Sequence, residues 1–170
     1  MSHSVASLAN LDLATLAERL GRLCRDRGVA ITCAESCTGG GVASAITSAD
    51  GCSDYFETGY VTYSNAAKMR LLGVAEALLD THGAVSREVV EAMAVGACRD
   101  SGADLGVAIS GVAGPGGGSA DKPVGTVWLA WGDDTAAEAE CLCYPGDRRA
   151  VREQAVREAL VGLVHRLEAR

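Results

Sequence analysis

The sequence predicts an α/β fold, a three-layer α/β/α sandwich around a mixed, mainly parallel sheet. Two observations carry that expectation. Short runs rich in β-branched residues interleave with amphipathic helical patterns along the chain, the succession that covers both faces of a sheet with helices. Toward the C-terminal end, the strand-like runs Gly125–Trp131 and Glu138–Tyr144 follow each other directly. That adds an antiparallel hairpin and makes the sheet mixed.

The elements follow in order. Leu8, Leu11, Leu16, Leu20, Leu23 and Cys24 recur at helical spacing, and Gly28 supplies a C-cap. Val29–Ala34 reads as a short buried strand that empties into the turn Glu35–Gly41 and a small-residue helix toward Ser48. Phe56–Tyr63 is β-branched and aromatic enough for a second strand. Asn65 caps a short helix over Ala66–Leu72, which Gly73 ends. Ser86 caps another helix, with Val89, Val90, Met93 and Ala97 on one face. Ala103–Ile109 completes the strand set. From Asp147 to about Leu167, residues such as Val151, Ala155, Leu160 and Val164 form an amphipathic closing helix.

At 170 residues the chain fits one domain over 1–170 with a core of its own. Aromatics are only 4%, so the core is built of Ala, Val, Leu and Ile. A net charge of −7 opposes nucleic acid as a partner, yet leaves room for one small anionic ligand held by a local donor cluster. No apolar stretch reaches the roughly 20 residues a membrane span needs, and no secretion signal precedes the first helix; a cytoplasmic location is the expectation. The seven cysteines are odd in number and lack paired C-x-x-C spacing. Most read as reduced, buried small hydrophobes, Cys37 being the exception because it sits inside a candidate active-site motif, and no metal and no cofactor are expected. Small-residue helices suit packing against a second copy, a homodimer.

The densest chemical signal is Ser110–Ser119, which holds five glycines and Pro115 directly after the apolar run Leu105–Ile109. Backbone amides in such a loop approach a phosphate or an oxyanion without an intervening Cβ. Gly114, Gly116 and Gly117 are its candidate binding positions, with Ser110 at its base. The strand–turn–helix unit at Ser36–Gly41 offers a second set of amides, around Thr38, Gly39 and Gly40. Ser36 there is either a nucleophile or a helix N-cap. Cys37 is the better intrinsic nucleophile but has no histidine near in sequence. Lys68, in the first turn of a helix, is either a solvated surface lysine or a base of lowered pKa. Tyr63 stands where it relays a proton or orients Lys68. Ser64 and Lys68, one turn apart, form a rival pair.

Six ordered segments now point further: Ala34-Glu-Ser-Cys-Thr-Gly-Gly40, Gly59-Tyr-Val-Thr-Tyr-Ser-Asn-Ala-Ala-Lys68, His82-Gly-Ala-Val-Ser86, Ser110-Gly-Val-Ala-Gly-Pro-Gly-Gly-Gly118, Lys122-Pro-Val-Gly-Thr-Val127 and Gly146-Asp-Arg148. Their order resembles the CinA C-terminal domain family over nearly the whole chain from about Leu8. The resemblance implies a nicotinamide-nucleotide amidohydrolase, which turns the carboxamide of nicotinamide mononucleotide into a carboxylate and releases ammonia. It implies Ser36 as nucleophile, Tyr63 and Lys68 as its activators, and Arg148 near the substrate. The family usually has threonine at the position of Ser110, and either residue offers a hydroxyl. Some members carry a large N-terminal domain, expected to be lacking here. Two rival readings stand beside this one, a non-catalytic nucleotide-binding module and an amidohydrolase dependent on Cys37.

Overall fold

A computed structural model describes residues 8–170 of the chain. Its centre is β1 (Ile31–Glu35), buried along its whole length, with β2 (Phe56–Val61) and β3 (Leu105–Gly111) on either side and parallel to it. β4 (Thr126–Gly132) and β5 (Ala137–Cys143) extend the sheet antiparallel, giving the order β2-β1-β3-β4-β5. β1, β2, β3 and β5 share one direction and β4 alone opposes them, so the sheet is mixed and mainly parallel.

The alternation of side chains along each strand divides the core into two layers. Ile31, Cys33, Leu105, Val107, Ile109, Val127, Leu129 and Trp131 pack on one face. There they meet α1 (Leu13–Arg27), α2 (Gly41–Thr47) and α6 (Arg148–Ala169). Ala34, Ala108, Ala130 and Ala139 line the other face, under α3 (Asn65–Leu72), α4 (Glu76–His82) and α5 (Arg87–Ser101). With so few aromatics, Trp131 is the largest fully buried side chain, and its Nε1 donates to the Ala159 carbonyl at 3.1 Å. Gly162 leaves space for it, since a Cβ there would lie 2.2 Å from the indole ring.

Several boundaries differ from the sequence expectation, each for a local reason. α1 begins at Leu13 because Asp12 caps it, accepting from the Thr15 amide at 2.7 Å. α3 is capped by Ser64 rather than Asn65, with Ser64 Oγ accepting from the Ala67 amide at 3.1 Å. α4 was not anticipated, since it is one short helix with no side-chain cap. β2 ends at Val61 rather than Tyr63, because the carbonyls of Thr62 and Tyr63 turn to Lys68 Nζ. Cys141 and Cys143 are exposed on the edge strand, unlike the buried Cys24, Cys33, Cys37 and Cys98. No helix among the described residues is long and apolar enough to cross a membrane.

Candidate active site

The chain leaves β1 through α2 on one face and returns to β3 through α3–α5 on the other. A parallel sheet opens a crevice at the carboxyl edge where such connections diverge. Glu35 pairs with Val61 on one side and Ile109 on the other. One residue further along, Thr62, Ser36 and Ser110 therefore stand in a row across three strands. The row is held by Ser36 N–H to Ile109 O at 3.0 Å and Thr62 N–H to Glu35 O at 2.8 Å. All three residues are buried.

Lys68 comes down on this row from α3. It is only 1% exposed, and its Nζ lies 3.2 Å from Ser36 Oγ, 2.9 Å from Thr62 O and 3.1 Å from Tyr63 O. Burial holds its pKa below the ordinary lysine value, with the nearby Cys37 opposing. The structure thus brings Ser36 and Lys68 together across 32 residues of sequence. Ser64 is not part of the pair, because its hydroxyl is the α3 cap. Burial pushes the Cys37 thiol up to about 11, which withholds the reactive thiolate at neutral pH.

Tyr63 takes a different place from Ser36 and Lys68. Its carbonyl accepts from Lys68, while the hydroxyl of its exposed ring accepts from Arg148 Nη2 at 2.9 Å. Arg148 Nη1 donates to Gly114 O at 2.9 Å. One guanidinium thereby ties the end of β2 to the glycine-rich loop. That loop is anchored rather than free: Val112 and Gly125 bond Thr126 and Val112 across its base, and Lys122 Nζ reaches the His82 carbonyl at 2.8 Å. Gly114 is buried in it, whereas Gly116 and Gly117 lie at the exposed tip.

The Ser36 turn closes through Gly39 N–H to Ser36 O at 3.1 Å. Gly39 and Gly40 both have positive φ, 58° and 102°, which only glycine adopts without strain. The amides of Cys37, Thr38 and Gly40 have no acceptor among the described residues, and Thr38 Oγ1 is buried without a partner. Two contributors escaped the sequence reading. Glu35, fully buried, accepts from the Val42 and Ala43 amides at 2.8 and 3.1 Å and caps α2. A glycine at the α2 N-cap, with no side-chain oxygen of its own, was the available clue. Arg152, one helical turn beyond Arg148, donates to the carbonyls of Cys37 and Thr38.

A cleft of about 600 Å³ is lined by Ala113, Pro115, Val124, Asp147, Arg148, Arg149 and Arg152 among others, and Arg152 joins it to the Cys37 and Thr38 carbonyls. Three arginines against one aspartate make its lining cationic in a chain of net charge −7. A cleft of similar size between α5 and the β4–β5 turn, at Glu91, Arg99 and Thr135, shares no residue with the arginine cleft; Ser36 and Lys68 line neither, and only the arginine cleft is joined to the Ser36 turn, through Arg152. The site that results has a serine beside a buried lysine, unpaired amides at the same turn, and a cationic cleft.

The family model described as the CinA C-terminal domain matches residues 13–167. A Pseudomonas putida protein named nicotinamide-nucleotide amidohydrolase PncC is 59% identical over 152 residues, covering 89% of this chain and 95% of that protein. An Escherichia coli K12 protein of the same name is 50% identical over 157 residues, covering 90% and 93%. Among solved structures, a CinA superfamily protein from Klebsiella pneumoniae superposes with a TM-score of 0.90 at 39% identity, covering 94% of this chain and all of that one.

Proposed function

The chain belongs to the CinA C-terminal domain family, and from that membership we propose that it is a nicotinamide-nucleotide amidohydrolase. It hydrolyses nicotinamide mononucleotide to nicotinate mononucleotide and ammonia, using Ser36 as nucleophile and Lys68 as base. The observation that carries the mechanism is the environment of Lys68 Nζ. A neutral amine has two N–H groups and one lone pair. The carbonyls of Thr62 and Tyr63 take both N–H groups, so the lone pair faces the Ser36 hydroxyl.

In the first half-reaction Ser36 Oγ bonds to the carboxamide carbon and its proton passes to Lys68 Nζ. The tetrahedral oxyanion is met by unpaired amides of the Ser36–Gly41 turn. As the C–N bond breaks, Lys68 returns that proton to the nitrogen, ammonia leaves, and an ester on Ser36 remains. Water then attacks the ester carbon, giving its proton to Lys68. The Ser36 oxygen departs and takes the proton back, leaving the carboxylic acid, which passes its remaining proton to the released ammonia or to solvent and becomes the carboxylate. Ser110, beside Ser36 in the row, offers a hydroxyl to the bound carboxamide. Tyr63 orients Lys68 through its carbonyl and Arg148 through its phenol. Arg148 and the Gly114 end of the loop hold the ribose phosphate, a bidentate task suited to guanidinium.

Incubating the protein with nicotinamide mononucleotide tests this directly. Ammonia and nicotinate mononucleotide appearing in equal amounts is the expected result; ligand bound without turnover supports a binding module instead. Arg148→Ala is expected to raise KM by about 10- to 100-fold, the loss of a charge-assisted pair to phosphate, with a smaller effect on kcat.

A further inference from the structure

Arg152 is used by none of the steps above, yet it reaches across 115 residues to the nucleophile turn. Its Nε donates to the Cys37 carbonyl and its Nη2 to the Thr38 carbonyl, both at 3.1 Å. In a trans peptide the carbonyl and the following N–H point in opposite directions. Holding the Cys37 carbonyl therefore turns the Thr38 N–H away from the guanidinium. Holding the Thr38 carbonyl does the same for Gly39 N–H, which closes the turn on Ser36 O. The Thr38 amide, two residues after Ser36 in the turn that Gly39 closes, has no acceptor among the described residues.

Taking Ser36 as the nucleophile of the deamidation above, we propose that Arg152 is a positioning residue, which rests on that reading. Its fork holds two carbonyls outward and so presents the Thr38 amide to the oxyanion beside Ser36. Without the fork, the Cys37–Thr38 peptide is free to rotate and bring a carbonyl, not a donor, toward the developing negative charge. The guanidinium meets the two carbonyls from two nitrogens fixed in one plane, whereas a lysine there gathers all its donors on one rotating nitrogen. Arg152 sits one turn after Arg148 on α6, so one helix face fixes both the glycine loop and the nucleophile turn.

Steady-state kinetics on nicotinamide mononucleotide, read together with labelling of Ser36 by a fluorophosphonate, test the assignment. Arg152→Lys is expected to lower kcat about 10²-fold, leave KM within about threefold, and slow labelling by a similar factor, as loss of an oxyanion donor does. Methylguanidine is expected to restore part of the kcat of Arg152→Ala, which a merely structural role does not predict. A raised KM with labelling at the wild-type rate overturns the proposal and makes Arg152 a phosphate ligand. An active wild type whose Arg152 variants match it in kcat and labelling also overturns it, leaving the deamidation intact. A wild type that neither releases ammonia nor is labelled at Ser36 overturns the deamidation itself.

Discussion

Burying a lysine without a carboxylate partner disfavours its ammonium form, and Lys68 is 1% exposed with only oxygens of Ser36, Thr62 and Tyr63 about its Nζ. Its lowered pKa has two consequences of known sign. With Lys68 as the proposed base, turnover calls for the neutral amine, so kcat/KM is expected to rise with pH and level off at an inflection below 10.5, the ordinary lysine value; Lys68→Met is expected to lose about 10³-fold or more. Stability follows the same proton. Between the folded pKa and 10.5 the unfolded chain binds more protons, so wild-type stability rises with pH across that window. Urea unfolding at neutral and alkaline pH checks this: the stability of wild type relative to Lys68→Met is expected to grow as pH rises. A flat difference contradicts the buried, depressed lysine. The sequence placed Lys68 near a strand end in a helix's first turn, which was enough to suspect it. Its contact with Ser36 depends on a fold that joins positions 36 and 68, and no local pattern encodes that.

α2 illustrates how an element is held from outside its own span. Gly40 at its N-cap has no side chain, and the first free amides are met by the Glu35 carboxylate instead. A negative group also suits the positive end of the helix. Glu35→Ala leaves the buried Val42 amide and the half-buried Ala43 amide unpaired and is expected to destabilise the protein by about 1–3 kcal/mol, read as a lower urea midpoint; an unchanged midpoint contradicts the capping role. Helix ends marked by Gly28, Gly73, Ser86 and Asp147 were legible, because each cap is local to its helix. The α2 cap was not, since the oxygen comes from the preceding strand. β2 was read two residues too long for a related reason: Thr62 and Tyr63 have strand-like side chains, but their carbonyls serve Lys68.

For the whole molecule, the three-layer sandwich was legible because helical and strand periods alternate so cleanly. The order β2-β1-β3 was not, although it decides where the site lies. It aligns Thr62, Ser36 and Ser110 at one edge, residues 26 and more apart in sequence that share only their register. Arg148 and Arg152 complete the site from α6, at the far end of the chain. α6 keeps that position by packing against Trp131, and Gly162→Ala drives a methyl into the ring. Such overpacking is expected to cost about 1–3 kcal/mol, seen as a lower thermal midpoint; a variant as stable as wild type means α6 is free to shift.

The most direct test of the account compares ammonia release from nicotinamide mononucleotide by wild type, Ser36→Ala and Cys37→Ala, with folding checked by circular dichroism. Loss of about 10³-fold or more in folded Ser36→Ala, with turnover kept in Cys37→Ala, is the predicted result. Turnover that survives in Ser36→Ala contradicts the serine mechanism, and loss confined to Cys37→Ala moves the nucleophile to the neighbouring thiol.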